Sequence, residues 1–499
     1  MTFVRKILDG LRAEPDTVRI IDRVGEGNAR LDGRTIHQRV LQLGNYLDGL
    51  QLQQDAVVGI VMSNSADWVI ADLACLAFGY TTLPLPLGFS RYQAEFLADR
   101  CTVFLVDAQG KEVLHDKWLL ADLNAIRVKE VYQQAISDDT LALAVQADDW
   151  VCKIIHTSGT TSRPKGVKQS LGGLSVMLES LLQRVPGEIH QHYLSLVPLS
   201  LLIEQVTAIY LPLLSGGKVQ FLAPAVPLIG ERESNLQALI TQVVESGATA
   251  MTVPPVMLEE ILVRAETDPA LASYLEANVH ITVGGAPVSV LMLQRLEQIG
   301  ITAFEGYGLS ENGSVISVST PEARKIGSVG RPLAHVEVRI NNAGRIEIKS
   351  GSLFAGYSWV DPSACQLGSD GWLDTGDLGH IDAEGFLYVR GRAKNLICLP
   401  NGRNVSPEQV EVAYRGQQGV IEAILYLTDS GTLSVALVID SAFDRVQTER
   451  WAGEWFSEIE CPKALLTLRQ DDPALLGLRG KTIIEKRRIL AAVDQHVAV

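Results

Sequence analysis

The segment from Val279 to Tyr307 places the strongest constraint on how this chain folds. An apolar stretch, His280–Val283, is followed by a helical pattern that Ser289 caps and that continues to about Ile299. A second apolar stretch, Ile301–Phe304, comes directly after the helix. A strand, a helix and a strand of these lengths predict two parallel strands joined by a right-handed crossover.

Both strands of this unit end in glycine-rich turns. The first strand leads into Gly284-Gly285-Ala286-Pro287, and the second leads into Glu305-Gly306-Tyr307-Gly308. Ligands of parallel sheets bind at the carboxyl ends of the strands, where glycine lets a backbone come close to a ligand. The two turns are therefore predicted to lie at one binding site.

Beyond about residue 325 the pattern changes to β-hairpins. Apolar and polar residues alternate over Val336–Ile340, and the alternation returns at Ile346–Ile348 after the turn Asn341–Gly344. A second hairpin is predicted over Leu378–Val389, around Asp382–Gly385. The chain thus combines layered α/β segments with a later region that is rich in β-structure.

These changes predict an α/β fold class in two parts. A large composite N-terminal domain, residues 1–391, would contain the α/β layers and a small β-barrel-like part. A hinge at residues 392–395 would join it to a small α+β C-terminal domain, residues 396–499. Ser406-Pro407-Glu408 starts a helix in that domain, and Asp429-Ser430-Gly431 turns a hairpin.

Composition excludes several classes of function. The 499 residues include 43 basic and 58 acidic side chains, a net charge of −15, whereas a nucleic-acid-binding protein presents a basic patch or stripe. The six cysteines form no C-x-x-C pair, so neither a zinc site nor a disulfide framework is indicated. Met1–Asp16 has the pattern of an amphipathic helix and not of a signal peptide, and charged residues or prolines break the longest apolar regions. We expect a cytoplasmic enzyme with no nucleic-acid partner and no transmembrane segment.

The loop Thr157–Val167 is the most specific stretch of the sequence, and it directly follows the apolar strand Val151–Ile155. Hydroxyl side chains, two glycines and a lysine on one loop suit a polyphosphate, because glycine exposes backbone N–H groups and lysine adds positive charge. The loop is not a Walker A motif, since Pro164 stands where that motif requires glycine. A plain surface loop is the alternative interpretation.

At this loop the sequence resembles the adenylate-forming superfamily, which includes acyl-CoA synthetases, luciferases and the adenylation domains of peptide synthetases. Further segments follow in the family's order over nearly the whole chain: Gly284–Pro287, Tyr307-Gly308-Leu309-Ser310-Glu311, Asp374-Thr375-Gly376-Asp377 and Gly391-Arg392-Ala393-Lys394-Asn395. The resemblance implies that Tyr307 stacks on adenine, that Asp377 accepts from the ribose hydroxyls and that Glu311 holds Mg²⁺. The nucleotide-binding residues that it implies are Thr157, Ser158, Gly159, Thr160, Thr161, Lys165, Gly285, Ala286, Pro287, Glu305, Gly306, Tyr307, Gly308, Ser310, Asp377 and Arg392.

The resemblance also implies the catalytic residues Lys481, Glu311 and Thr157. Gly480-Lys481 is similar to a family pair whose lysine contacts the substrate carboxylate and the bridging phosphate oxygen. The family's usual arginine three residues later is Ile484 here, so a basic, solvated helix face is the alternative. Lys394 would be the pivot about which a mobile C-terminal domain rotates.

Substrate preference is predicted from Val197–Glu204, which resembles the Pro-Leu-x-His-x-x-Glu gate of long-chain acyl-CoA synthetases. Leu201 replaces the histidine, and the segment lacks the aspartate with which amino-acid-activating members hold an ammonium group. An unpaired ammonium is costly in an apolar pocket, so a hydrophobic carboxylic acid is favoured. The predicted acyl pocket contains Leu201, Gly308 and Asn312, while a structural ion pair is one open interpretation of Glu204.

The predicted reaction has two steps: ATP activates the acid as an acyl-adenylate with release of pyrophosphate, and a thiol then accepts the acyl group. Coenzyme A is the favoured acceptor, and the phosphopantetheine of a separate acyl carrier protein, or an amine, is the alternative. A second alternative is a non-catalytic relative that binds an acyl ligand or an adenylate. A kinase or P-loop ATPase is disfavoured by the loop spacing.

Overall fold

The computed structural model describes residues 2–24, 27–53, 55–133, 146–157, 165–223, 226–231, 234–359, 367–399, 404–428, 431–457, 460–472, 475, 478 and 483–497. The helices in chain order are α1 (Phe3–Ala13), α2 (Gly33–Gly49), α3 (Ala66–Phe78), α4 (Arg91–Ala98), α5 (Ala108–Glu112), α6 (Val128–Val131), α7 (Leu171–Arg184), α8 (Leu202–Glu204), α9 (Leu211–Leu214), α10 (Leu236–Ser246), α11 (Pro255–Ala265), α12 (Pro269–Asn278), α13 (Val290–Gln298), α14 (Pro407–Arg415), α15 (Arg445–Trp455) and α16 (Ile483–Val497). Wider π-helical turns cover Val113–Lys117 and Gln205–Tyr210. Within the described ranges, no helix has the length and apolar character needed to cross a membrane.

The strands in chain order are β1 (Val18–Val24), β2 (Gly27–Asp32), β3 (Val57–Val61), β4 (Thr81–Pro84), β5 (Val103–Val106), β6 (Ala125–Arg127), β7 (Val151–Thr157), β8 (Lys165–Ser170), β9 (His192–Leu194), β10 (Lys218–Gln220), β11 (Ala250–Val253), β12 (His280–Val283), β13 (Ala303–Tyr307), β14 (Ser317–Val318), β15 (Arg331–Pro332), β16 (Val336–Ile340), β17 (Arg345–Ser350), β18 (Tyr357–Ser358), β19 (Leu373–Ile381), β20 (Leu387–Arg392), β21 (Ile397–Cys398), β22 (Asn404–Val405), β23 (Val420–Leu427), β24 (Leu433–Ile439) and β25 (Ala464–Arg469).

Two large sheets dominate the N-terminal part of the fold. The first has the strand order β15-β14-β13-β12-β11-β9-β10-β1-β2, and the second has the order β18-β8-β7-β4-β3-β5-β6. The largest apolar core draws side chains from both sheets and from α1, α2 and α3, and α3 is buried along nearly its whole length. The helices thus bury their apolar faces in a core shared by the two sheets, which agrees with the predicted α/β layers.

The predicted strand–helix–strand unit is present. β12 and β13 are parallel, with Val283 opposite Glu305, and Ser289 caps α13 by accepting from the backbone N–H of Met292. The second strand begins at Ala303 and not at the predicted Ile301. It extends to Tyr307 because its last residues pair with β14 in the antiparallel sense.

The predicted β-rich part is a four-stranded antiparallel sheet with the order β16-β17-β19-β20. Both predicted hairpins lie in it. The described C-terminal residues contain the predicted helix start, with Pro407 as the first residue of α14, and the predicted hairpin of β23 and β24. β25 adds to β24 in parallel. Ser406 donates to the carbonyl oxygen of Arg390 at 2.6 Å, so this helix begins against the end of β20.

A buried ion pair connects the strand before the phosphate loop to α3. Lys153 on β7 and Asp72 on α3 are both fully buried and form a salt bridge. Tyr210 also donates to Asp72, at 2.5 Å, and Thr82 lies 3.4 Å from the lysine Nζ. Removing one partner of such a pair leaves an uncompensated charge in the protein interior.

We therefore expect Lys153→Met to lower the free energy of unfolding by about 3 to 5 kcal/mol. Urea denaturation followed by circular dichroism measures the change. Tyr210→Phe, which removes one hydrogen bond and keeps the ion pair, serves as the matched comparison and should cost about 1 to 2 kcal/mol. If both variants lost the same free energy of unfolding, the prediction that an unpaired buried charge costs more than a lost hydrogen bond would be wrong.

Candidate active site

The candidate site lies where the parallel strands of the largest sheet end. Gly284 follows β12 and Gly308 follows β13, so the two predicted glycine turns are neighbours at one edge of the sheet. Gly285 has a φ of +83°, and a side chain there would be strained. Gly285, Ala286 and Pro287 are exposed, as a surface that contacts a ligand requires.

Tyr307, Asp377 and Arg392 come together beside this edge. The hydroxyl of Tyr307 donates to Asp377 Oδ2 at 2.6 Å, and Arg392 Nε lies 2.7 Å from Oδ1 of the same carboxylate. Burial raises the pKa of Asp377, and the Arg392 guanidinium and the Tyr307 hydroxyl partly oppose that rise. Burial likewise raises the pKa of Tyr307, so its hydroxyl keeps its proton and acts as a donor.

This cluster unites three residues that the sequence predicted to bind the nucleotide. Asp377 and Arg392 are opposite each other in the β19–β20 hairpin, while Tyr307 belongs to a different sheet. An ionised carboxylate has about four lone-pair positions, so Asp377 retains acceptor capacity beyond its two protein partners. The Arg392 side chain is half exposed and lies on the solvent side of the pair. Stacking on adenine and the ribose contacts remain predictions.

We expect Asp377→Ala to raise the KM for ATP by about 10- to 100-fold, because a hydrogen bond to a charged acceptor contributes about 1.5 to 3 kcal/mol. The KM for the acid should change less than twofold. Steady-state kinetics with varied ATP at saturating acid measures both. Asp382→Asn is the control. Asp382 lies in the turn of the same hairpin, and its carboxylate pairs with Lys325. Equal increases for ATP and acid would contradict a ribose contact.

Glu311 and Lys165 meet around Tyr357. The Tyr357 hydroxyl donates to Glu311 Oε1 at 2.7 Å, and Lys165 Nζ lies 5.2 Å from the centre of the Tyr357 ring. Gln169 also donates to the carbonyl oxygen of Ser310 at 2.6 Å, so β8 holds the Ser310-Glu311 segment in place. Glu311 is half-buried, and its hard oxygen atoms suit Mg²⁺. The donor chemistry of the site therefore fits the predicted metal.

Part of the predicted site lies outside the described residues: Ser158, Gly159, Thr160, Thr161 and Lys481. The two ends of the phosphate loop are described. Thr157 ends β7 and is opposite Lys165, the first residue of β8, in the antiparallel register. The two described ends of the loop are therefore paired neighbours, and Lys165 also lies beside Tyr357, which bonds to Glu311.

Glu305 has a supporting role that the sequence did not predict. The residue is buried, and its carboxyl group accepts from the backbone N–H of Gly327 at 3.0 Å. Burial raises the pKa of Glu305 to about 8. The side chain therefore holds the Gly327 turn against β13, and the predicted role of Glu305 in nucleotide binding remains a prediction. Lys394 lies exposed in the short helical turn Ala393–Asn395 after β20, and its hinge role remains a prediction.

The predicted acyl-pocket residues do not share one role. A side chain at Gly308 would place its Cβ 1.6 Å from the carbonyl oxygen of Ser314, and Asn312 is fully buried with its amide bonded to Val315 and Ser352. Gly308 and Asn312 therefore permit close packing here, and their place in the acyl pocket remains a prediction. Leu201 differs, because 41% of it is exposed.

The sequence did not single out three polar residues near the site. Tyr357 orients Glu311, and Asn64 and Ser195 bond to each other across the two large sheets at 2.9 Å. Asn64 lies in a polar Ser-Asn-Ser turn directly after the apolar strand β3, which is a signal that a search of strand ends would have found. Tyr357 carries no such signal, because its partner is 46 residues away.

Comparisons with known proteins show similarities over most of the chain. A family model described as AMP-binding enzyme matches residues 9–358. The chain is 24% identical over 476 residues to the 2-succinylbenzoate–CoA ligase of Bacillus licheniformis, covering 91% of this chain and 94% of the relative. It is 26% identical over 453 residues to the long-chain-fatty-acid–CoA ligase FadD15 of Mycobacterium bovis, covering 79% of this chain and 74% of the relative.

A solved structure shares the fold. The o-succinylbenzoate CoA synthetase of Bacillus subtilis, in complex with its acyl-adenylate intermediate, superimposes with a TM-score of 0.75 at 21% identity. The superposition covers 93% of this chain and 94% of that structure. The likeness confirms the predicted α/β fold class.

Proposed function

This chain belongs to the family of AMP-binding enzymes, and on that premise we propose that it activates a hydrophobic carboxylic acid with ATP and transfers the acyl group to coenzyme A. The observation that carries the proposal is that two clusters share the short segment of residues 307–311 at the end of β13. Asp377, Tyr307 and Arg392 form the first, and Glu311 and Lys165 belong to the second. One cluster suits a ribose and the other suits phosphates.

The first step makes the acid a better acyl donor. A carboxylate reacts poorly with nucleophiles because its leaving group would be oxide. Attack of its oxygen on the α-phosphorus of ATP forms a mixed anhydride with AMP and breaks the bond to pyrophosphate. A thiol then attacks the acyl carbon, its proton is lost, and AMP departs. The protein's contribution is to align two anions and to neutralise the charge that develops between them.

Each group of residues would act on a different part of the reacting molecules, according to its position in the site. Lys165 and the Thr157–Lys165 loop would hold the departing pyrophosphate, and Asp377 with Arg392 would hold the ribose. Glu311, oriented by Tyr357, would hold Mg²⁺, which when bound neutralises phosphate charge. Lys481 would contact the attacking carboxylate and the bridging oxygen. Rotation of residues 396–499 about Lys394 would then exchange Lys481 for a surface that admits the thiol.

The acid is proposed to be an aryl or fatty acid. Leu201 is uncharged at every pH and is exposed within the gate segment, so it offers an apolar contact and no partner for an ammonium group. The names of the relatives point to the same class, since they are ligases for 2-succinylbenzoate and for long-chain fatty acids.

Coenzyme A is the proposed acceptor because both relatives are named as CoA ligases. Transfer to the phosphopantetheine of an acyl carrier protein, or to an amine, is the alternative, since a carrier-bound thiol offers the same nucleophile. The cytoplasmic location expected from the cysteine pattern also remains a prediction.

Acid-dependent ATP–pyrophosphate exchange tests the first step. The panel contains octanoate, palmitate, benzoate and 2-succinylbenzoate, and at least one acid should stimulate exchange and yield AMP. Adding coenzyme A, an acyl carrier protein or an amine then identifies the acceptor from the product. Binding of ATP without AMP formation across the panel would contradict the proposal and favour a non-catalytic binding protein.

A further inference from the structure

The segment Ser195–Leu201 leaves the same edge of the largest sheet as the Gly284 turn of the candidate site. It follows β9, and β11 pairs in parallel with both β9 and β12, so the segment leaves the sheet two strands from the Gly284 turn. Its last residue, Leu201, is exposed, whereas the preceding Leu199 and Ser200 are buried. The path of the backbone through this segment therefore fixes the position of the exposed Leu201 side chain.

The side chain of Glu204 forms hydrogen bonds with the first residues of this segment. The carboxyl group is fully buried, and its Oε1 accepts from the Ser195 hydroxyl at 2.6 Å and from the Leu196 backbone N–H at 3.2 Å. Tyr193 lies 3.4 Å from Oε2. Among the residues that the structure describes, no cation pairs with Glu204. The group that the sequence left open as an ion-pair partner is thus a hydrogen-bond acceptor.

Asn64 holds the same segment from the other large sheet. Its Nδ2 donates to the Ser195 hydroxyl at 2.9 Å and to the Val197 carbonyl oxygen at 2.7 Å. Its Oδ1 accepts from the Leu199 backbone N–H at 2.8 Å. Asn64 follows β3, which lies in the sheet that carries the phosphate loop. One side chain therefore joins the carboxyl edges of the two sheets.

Together, the side chains of Glu204 and Asn64 form hydrogen bonds along most of the segment. Glu204 bonds residues 195 and 196, and Asn64 bonds residues 195, 197 and 199. Gln205 adds a bond from its Nε2 to the Leu199 carbonyl oxygen at 2.8 Å. A stretch of irregular backbone that is bonded this densely has little freedom to move.

We propose that Glu204 and Asn64 are positioning residues that hold Ser195–Leu201 as a rigid rim and thereby set which acids Leu201 admits. The inference rests on the proposed function, since it assumes that the acid enters at this edge. It predicts an effect on acid binding and selectivity, and it assigns neither residue a contact with the reacting atoms.

Amide hydrogen exchange tests the rigid rim without using activity. In Asn64→Ala and Glu204→Ala, exchange of the peptide that covers residues 195–201 should accelerate about tenfold or more, because each variant frees amides that the side chain had bonded. Glu204→Gln keeps an acceptor of the same shape and should behave as the wild type. Asp67→Asn, which changes a buried carboxylate of the neighbouring helix that faces Lys129, is the matched control. Unchanged exchange in both alanine variants would overturn the proposal.

Kinetics with the four-acid panel tests the selectivity. In the same alanine variants the KM for the preferred acid should rise about tenfold, the KM for ATP should stay within about twofold, and the ranking of octanoate against palmitate should shift. Equal rises in both KM values would show a merely structural role and overturn the proposal. If the wild-type protein activates none of the acids, the proposed function fails, and hydrogen exchange still decides whether the rim is held.

The pH dependence of the rim provides a further readout. Burial raises the pKa of Glu204 from its ordinary value of 4.5 to about 8, and the titratable group that faces it is Tyr193, whose pKa burial raises as well. The folded state therefore favours the protonated carboxyl group: this contribution to stability is full below pH 4.5 and is lost progressively as the pH rises to about 8. Above that pH the carboxylate is a buried charge with no cation beside it among the described residues, which is costly in the protein interior. We expect the acid KM of the wild type to increase between pH 7 and pH 9. That increase should be absent from Glu204→Gln, and an identical profile in the variant would count against the proposal.

Discussion

Replacing Lys481 with alanine is expected to lower acid-dependent ATP–pyrophosphate exchange by about 10²- to 10³-fold, the loss that follows removal of one group that stabilises developing charge. Transfer of the acyl group from a presynthesised acyl-adenylate to coenzyme A should retain most of its rate, because Lys481 is proposed to leave the site before that step. Comparing the two half-reactions in one preparation measures the difference.

Arg479→Ala is the control for Lys481, because it removes a neighbouring positive charge and leaves the lysine in place. Two of the basic residues that follow are already engaged: Lys486 pairs with Glu422 at 3.2 Å, and Arg487 pairs with the buried Glu411 at 2.8 Å. These ion pairs favour Lys481 as the catalytic cation of this region. Full exchange activity in Lys481→Ala, or loss of both half-reactions to the same degree, would refute the assignment.

Replacing Glu311 with glutamine should reduce adenylate formation about 100-fold at millimolar Mg²⁺, because the amide keeps the shape of the side chain and loses the charge that binds a hard cation. Raising the Mg²⁺ concentration should restore part of the rate. Pyrophosphate exchange measured over a Mg²⁺ titration gives both the maximal rate and the apparent affinity for the metal.

Tyr357→Phe is the matched variant for Glu311. It removes the hydroxyl that donates to Glu311 Oε1 and leaves the carboxylate charge, so a loss of about tenfold or less is expected. A Glu311→Gln protein with unchanged Mg²⁺ dependence would show that another group holds the metal. A larger loss in Tyr357→Phe than in Glu311→Gln would show that the tyrosine acts on the nucleotide directly.

Local sequence patterns predicted much of the fold. The strand His280–Val283, the helix that Ser289 caps and the hairpins of the β-rich part were each encoded within a few consecutive residues, by periodicity, caps and turns. The second strand of the unit was placed two residues too early, because Ile301 is apolar and buried without pairing in the sheet. Apolar character alone does not distinguish a strand from the loop that leads into it.

The sequence by itself determined which chemical groups are available: the phosphate loop, Glu311, Asp377 and Arg392, and an aliphatic residue at the gate. The tertiary structure decided which of them meet. Asn64 and Ser195 are 131 positions apart, and Tyr307 and Asp377 are 70 apart, so their contacts follow from the order of strands in the sheets and not from spacing. It also decided that Glu204 is buried away from any described cation and that Gly308 packs against Ser314. The physical reason is that periodicity reports on neighbours along the chain, whereas burial and hydrogen bonding depend on neighbours in space.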